Sequence, residues 1–237
     1  VPKGDYLPTA AFISTCGGLT SGDEVAFDLE LSAGASAIAT TQAAEKIYCA
    51  RPGDPPACLE SRVVVGEGAY CEWLPQETIL FDGSKLQRRT VFQVAETAQL
   101  LACELRVLGR AAHGEVYGDG FLSDRIELWR GDELSWVDAL RLAPGEGALQ
   151  SSVGFGGYMA IGTILYAAPD AEQQLPTARD ILDGSASKCA ATAWDNLLIV
   201  RILAADVFQL RTSAAHFVTG FRAHLGRAPV MLRFWSL

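Results

Sequence analysis

The chain is poor in the residues that most often do chemistry. Three histidines occur in 237 residues, which excludes the dense His tracts of a metal-storage protein. The six cysteines, Cys16, Cys49, Cys58, Cys71, Cys103 and Cys189, form no Cys-x-x-Cys pair. In a chain this long they do not make a disulfide-stapled miniature, and six free thiols in a reducing compartment are expected. Cys49 and Cys58 bracket the loop "ARPGDPPA" and leave a bridge or a soft-metal pair open. No Gly-x-Ser-x-Gly elbow is present, so the commonest signature of a serine hydrolase is missing.

Long apolar runs are also missing. The best candidate, "NLLIVRILAA" (196–205), is short and carries Arg201; it is too short to span a bilayer and reads as a core strand. The start, "VPKGDYLPTA", lacks the basic-then-apolar pattern of a secretory signal, so a cytoplasmic location is expected. Positive charge is scarce: 19 Lys and Arg face 28 Asp and Glu, for a net charge of −9. Such a chain repels phosphate backbones, so nucleic acid is not an expected partner; a basic surface or a cation is.

What the sequence has is strand. In "EVAFDLEL" (24–31), Val25, Phe27, Leu29 and Leu31 alternate with Glu24, Ala26, Asp28 and Glu30, the period of a half-buried strand. "LLACELRVLG" (100–109) sets Leu101, Cys103, Leu105 and Val107 on one side. "RIELWRGDELSWVDALRL" (125–142) reads as two strands turning at Gly131-Asp132; its "RGD" is turn chemistry. Three segments, 29–39, 63–73 and 140–150, echo one another as strand, Gly/Ala turn, strand. They predict layers of short strands reversing at small-residue corners. Helix shows clearly near the end: Val207, Leu210, Ala214, Phe217, Val218, Phe221 and Leu225 form one stripe over 206–226. Asp206 is placed to cap it and Gly226 to end it. A shorter helix is expected around 177–184. The 49% hydrophobic content supports a real core, and residues 1–237 are read as a single domain.

Several segments come close to chemistry. "GGLTSGDE" (17–24) has P-loop glycine spacing, but Asp23 stands where the phosphate-binding Lys belongs, so it reads as a turn leading into a strand. "GFGGY" (154–158) lacks the third glycine of a dinucleotide fingerprint. His216 and His224 lie two turns apart on the helix, too far to share a metal. His113, with Glu115 and Asp119 in "GRAAHGEVYGDG", is acceptable for a divalent first-row metal, against the alternative of a polar turn. "YCEWLPQETILFDG" (70–83) holds Glu72, Glu77 and Asp82. Two of these could serve a β-rich, carboxylate-based hydrolase, whereas an exposed Trp-Leu-Pro-Gln segment would suit a protein interface.

Taken together, these segments resemble the urease accessory protein D family, called protein H in some species. Its glycine-rich "GG…GGD" segment is matched by Gly17, Gly18, Gly22 and Asp23, with Ser21 in place of one glycine. Its "TTQAA-K-Y" block is matched by Thr40, Thr41, Gln42, Ala43, Ala44, Lys46 and Tyr48. "EWLPQ--I-F" is matched by Glu72, Trp73, Leu74, Pro75, Gln76, Ile79 and Phe81, and "GR-A-GE" by Gly109, Arg110, Ala112, Gly114 and Glu115. The C-terminal pattern is matched by Arg201, the helix, Arg233 and Trp235, with Leu232 where the family has proline.

The resemblance implies a mainly β fold, a superhelical stack of short strands with about two helices, the longer one near the C-terminus. It implies further N-terminal strands that this chain lacks, and a scaffold instead of an enzyme. The implied partners are the urease apoprotein and the accessory proteins F and G, of which G is the GTPase. The implied cargo is nickel(II), held only in transit, with no permanent cofactor. Glu72, Asp82, His113, Glu115 and Asp119 are the candidate stations of a nickel path.

Overall fold

A computed structural model describes residues 7–143, 147 and 149–228; Leu232, Arg233 and Trp235 lie outside the described residues. Fourteen strands and two α-helices run along them. The first ten strands coil between two stacked sheets. β2 (Glu24–Leu31), β5 (Ala57–Val65), β8 (Lys85–Val94) and β10 (Phe121–Arg130) stack in parallel in a five-stranded sheet. β1 (Thr9–Phe12), β3 (Ser36–Thr41), β6 (Tyr70–Trp73) and β9 (Gln99–Leu108) stack in parallel in a nine-stranded one, with β4 (Glu45–Ile47) and β7 (Thr78–Leu80) joining through β9. The expected mainly β, layered architecture is what the chain adopts.

Small-residue corners make the coil possible. The echoes at 29–39 and 63–73 are the β2–β3 and β5–β6 corners, where the chain crosses from the five-stranded sheet to the nine-stranded one. They lie directly on one another: Gly34 N donates to Glu67 O and Gly66 N to Leu31 O. A Cβ on Gly66 would stand 2.9 Å from Leu31 O and Ala33 N, so only glycine lets the two corners approach. The third echo, 140–150, falls partly outside the described residues.

The remaining elements close the stack. β10 turns at Gly131-Asp132 into antiparallel β11 (Glu133–Leu142). β12 (Ala160–Ala167), β13 (Lys188–Trp194) and β14 (Leu197–Ala204) extend the nine-stranded sheet beyond β9, all antiparallel. The short helix α1 (Leu175–Leu182) and the long helix α2 (Val207–His224) cover the outer face of that extension.

β9 is thus covered on both faces, which explains why it is buried along almost its whole length. Leu101, Cys103, Leu105 and Val107 face α2 and pack with Ile164, Val200, Leu210, Phe217 and Phe221. Leu100, Ala102 and Leu108 face the other sheet. The helix begins as its sequence predicts: Asp206 accepts from Gln209 N at 2.8 Å. Among the described residues no helix is long and apolar enough to cross a membrane.

Candidate functional site

Most of the polar residues of the family-like motifs fall into two groups, one serving as ties within the fold and one gathered at a surface cleft. The first group holds sheets and helix together. Thr40 Oγ1 donates to Leu74 O at 2.7 Å, and Thr41 Oγ1 accepts from Gln76 N at 2.9 Å, so the "TTQ" strand fixes the "EWLPQ" loop. That loop is not an exposed recognition segment. Trp73, Leu74 and Gln76 are buried: Trp73 packs between the two sheets and Leu74 in the cluster under α2.

Glu72 is fully buried, accepting from Tyr70 Oη at 2.9 Å and from Arg222 Nε of α2 at 2.9 Å. Arg211, also on α2, lies 3.8 Å from Glu77 Oε2. Burial and the Glu72 charge push the Cys71 thiol up to about 12, so it is an inert core residue. All six cysteines are free, with Cys49 exposed and Cys58 half-buried.

A buried charge network joins the sheets. Arg88 of β8 grips Asp124 of β10 with Nε at 2.9 Å and Nη2 at 2.6 Å, and reaches Glu104 of β9 at 2.9 Å. Arg106 of β9 also bonds Asp124, and Trp73 Nε1 donates to Glu104 at 2.9 Å. Burial works to raise the Asp124 carboxyl; Arg106 and Arg88 overcome it and hold the group well below the usual carboxylate range. Arg201 of β14 makes a second tie, pairing with Asp138 of β11 at 2.5 Å. Sequence reasoning missed the four-charge network. Its signal was present: Arg88, Glu104 and Arg106 occupy inward positions on strand faces whose other residues are mostly apolar.

The second group surrounds a cleft of about 710 Å³. Its apolar lining comes from Tyr48, Ile79, Phe81, Val107, Met159 and Val207. Lys46, Arg110 and His113 stand at its polar positions, and the first turn of α2 closes one side with Asp206.

A chain of contacts shapes this wall. Tyr48 Oη donates to Gly17 O at 3.0 Å, Tyr48 meets Phe81 edge-on at 5.1 Å, and Arg110 lies 4.0 Å above the Phe81 ring. Arg110 then binds Glu115 with Nε at 3.1 Å and Nη2 at 2.5 Å. Gly18 lies so close that a Cβ would stand 2.7 Å from Lys46 O and 2.8 Å from Tyr48. Gly109, at φ +77°, would bring a Cβ 2.9 Å from Tyr117 N. The glycines of two motifs are therefore needed so that neighbouring backbone can approach.

The candidate nickel-path residues separate accordingly. Asp82, His113, Glu115 and Asp119 are near the 109–120 loop, whereas Glu72 is in the core. Asp82 Oδ1 accepts from Gly118 N at 2.7 Å and Asp119 N at 3.1 Å; these backbone bonds lower its carboxyl. Glu115 Oε1 accepts from Asp82 N at 3.1 Å, and its bond to Arg110 lowers its carboxyl. His113 and Asp119 are exposed. Among the described residues no group of three or more His, Cys, Asp or Glu side chains is placed to hold a metal ion. Asp23, where a P-loop would need Lys, instead closes a turn by accepting from Thr20 N at 2.8 Å.

Fold and cleft define a coiled β-stack, braced by one long helix, that presents a shaped and partly apolar surface. The profile of the family described as UreD urease accessory protein matches residues 1–236. The chain is 42% identical over 223 residues to the urease accessory protein UreD of Xanthobacter autotrophicus, covering 94% of this chain and 76% of that one. It is 39% identical over 226 residues to UreD of Azorhizobium caulinodans (95% and 81%) and 42% identical over 234 residues to UreD of Rhizobium etli (98% and 83%). The chain belongs to the UreD urease accessory protein family.

Proposed function

We propose that this chain is a urease maturation factor, a scaffold with no catalytic activity of its own. In this reading it binds the urease apoprotein and the accessory proteins F and G, and supports GTP-dependent insertion of nickel into the urease active site. The chain acts in the cytoplasm as one domain. The observation that carries the reading is family membership over residues 1–236. The placement of the motif residues supports it, some as buried ties and some around one cleft. Of Glu72, Asp82 and Glu77, the carboxylates of the hydrolase alternative, Glu72 is engaged by Arg222, Asp82 by the 118–119 amides, and Glu77 lies 3.8 Å from Arg211.

Within the same reading nickel passes along surface carboxylates and does not rest in a closed site. Asp82 and Glu115 suit this because each is ionised and already hydrogen-bonded, so a cation meets them weakly and leaves. Asp119 and His113 extend the path at the same loop, while Glu72 serves it by holding α2 in place.

The test is reconstitution: urease subunits, the accessory proteins F and G, GTP and nickel, with and without this chain. Urease activity and nickel per active site should both depend on the chain. Equal activation without it overturns the proposal.

A further inference from the structure

The cleft between the 46–48 strand end, the 79–81 strand end and the start of α2 is lined by two cations, Lys46 and Arg110, and one anion, Asp206, in a chain that is acidic as a whole. The chain carries −9, yet Lys46, Arg110 and His113 stand together at this rim. Lys46 is exposed, and no ion pair is made by it among the described residues. The N-terminus of α2, an 18-residue helix, opens onto the same space through Ala205, Asp206 and Val207. Its partial positive charge adds to the cationic side chains. Asp206, as the cap, offsets the helix end, and Glu115, as the partner of Arg110, offsets that guanidinium, so Lys46 is the cation left without an ion pair among the described residues.

The floor is apolar. Ile79, Phe81, Val107, Met159 and Val207 supply it, and Tyr48 adds an exposed ring face. The volume, about 710 Å³, lies in the range of sites that bury several side chains of a ligand. Apolar floor and cationic rim select one kind of occupant: a segment with an aromatic or aliphatic anchor and a carboxylate beside it.

Resting on the maturation reading, we propose that this cleft is a docking site for an acidic, apolar-anchored peptide segment of a partner protein. The anchor packs between Phe81, Met159 and Val207. A partner carboxylate meets Lys46, the rim cation that makes no ion pair among the described residues. A protein segment is favoured over a small fatty acid because the cleft is open and its two rim cations stand on separate chain segments, Lys46 on β4 and Arg110 in the 109–120 loop.

The proposal is tested by titrating the chain against purified urease apoprotein, accessory protein F and accessory protein G, one at a time and together. Val207→Glu places a charge on the apolar floor, and an acidic residue in the first helical turn is compatible with α2. Lys46→Glu reverses that rim cation. Each should weaken one of these associations at least tenfold. Lys46→Arg should retain it, as should Arg62→Glu on the outer face of the other sheet. A photo-crosslinker at position 207 should join the same partner at a segment holding Asp or Glu next to an aromatic or aliphatic residue.

If the parent chain binds its partners and both cleft variants bind equally well, the cleft proposal fails while the maturation reading stands. If the parent chain binds none of them, both fail. Crosslinks to a basic or wholly polar segment overturn the proposal. So does a fatty acid found in the purified chain by native mass spectrometry and absent from Val207→Glu.

Discussion

At the scale of the residue, the same side-chain type does opposite work in different places. Glu72 and Glu115 both belong to family-like motifs, and both pair with arginine. Glu72 is fully buried against Arg222, and removing one partner of such a pair leaves a charge stranded in the core. Glu72→Ala should therefore destabilise the fold by about 3–5 kcal/mol, read as a fall in the urea midpoint; an unchanged midpoint would refute the structural role. Glu115 is half-exposed and its pair with Arg110 sits at the surface, where such pairs contribute little to stability. Glu115→Ala should leave the urea midpoint within experimental error. Under the proposed nickel path it should lower nickel loading of urease in the reconstituted system while the complex still forms. Full loading with Glu115→Ala removes that residue from the path.

At the scale of the element, legibility followed periodicity. β2, β9, the β10–β11 hairpin, β14 and α2 announced themselves because one regular pattern runs for eight or more residues in each. The Asp206 cap was legible for the same reason: a polar residue stands just before an amphipathic stripe. Asp206→Ala should cost about 1 kcal/mol, seen as a lower thermal midpoint, whereas Asp206→Asn should retain most of the stability; equal loss in both would show that the cap bond is not the cause. The three-residue strands β4 and β7 carry too few residues for any period. Whether the "EWLPQ" segment lies in the core or at an interface is not legible locally, because Pro75 interrupts the strand pattern. Its burial comes from partners far along the chain, Thr40 and Thr41 on one side and α2 on the other, which no local pattern encodes. The cleft was illegible for a related reason: Tyr48, Phe81, Arg110, Met159 and Val207 come from five separate stretches of chain.

At the scale of the whole molecule, the two sheets are joined by charge as well as by apolar packing, and this sets the response to acid. Asp124 is held well below the usual carboxylate range against its burial by Arg106 and Arg88. Glu127, on the outer face, is lowered to about 2, chiefly by its bond to Arg89, with Arg125 and Trp129 adding to it. Asp82 and Glu115 are lowered as well. A lowered folded value means that the unfolded chain takes up the proton first. These groups therefore contribute stability in full above the unfolded carboxylate values near 4 and lose it as pH falls through the folded ones. Glu45, raised mainly by burial, works in the opposite direction, one group against four. Folding stability should thus be nearly flat from pH 7 to about pH 5 with respect to these groups, and fall steeply between about pH 4 and pH 2. Near-ultraviolet circular dichroism followed through that window should show cooperative loss of the aromatic signal. Asp124→Asn should unfold at a lower urea concentration at pH 7 and show a shallower pH dependence, because the titrating group at the join between the sheets is gone. An unaltered acid transition in Asp124→Asn would mean that the join is held by its apolar contacts alone.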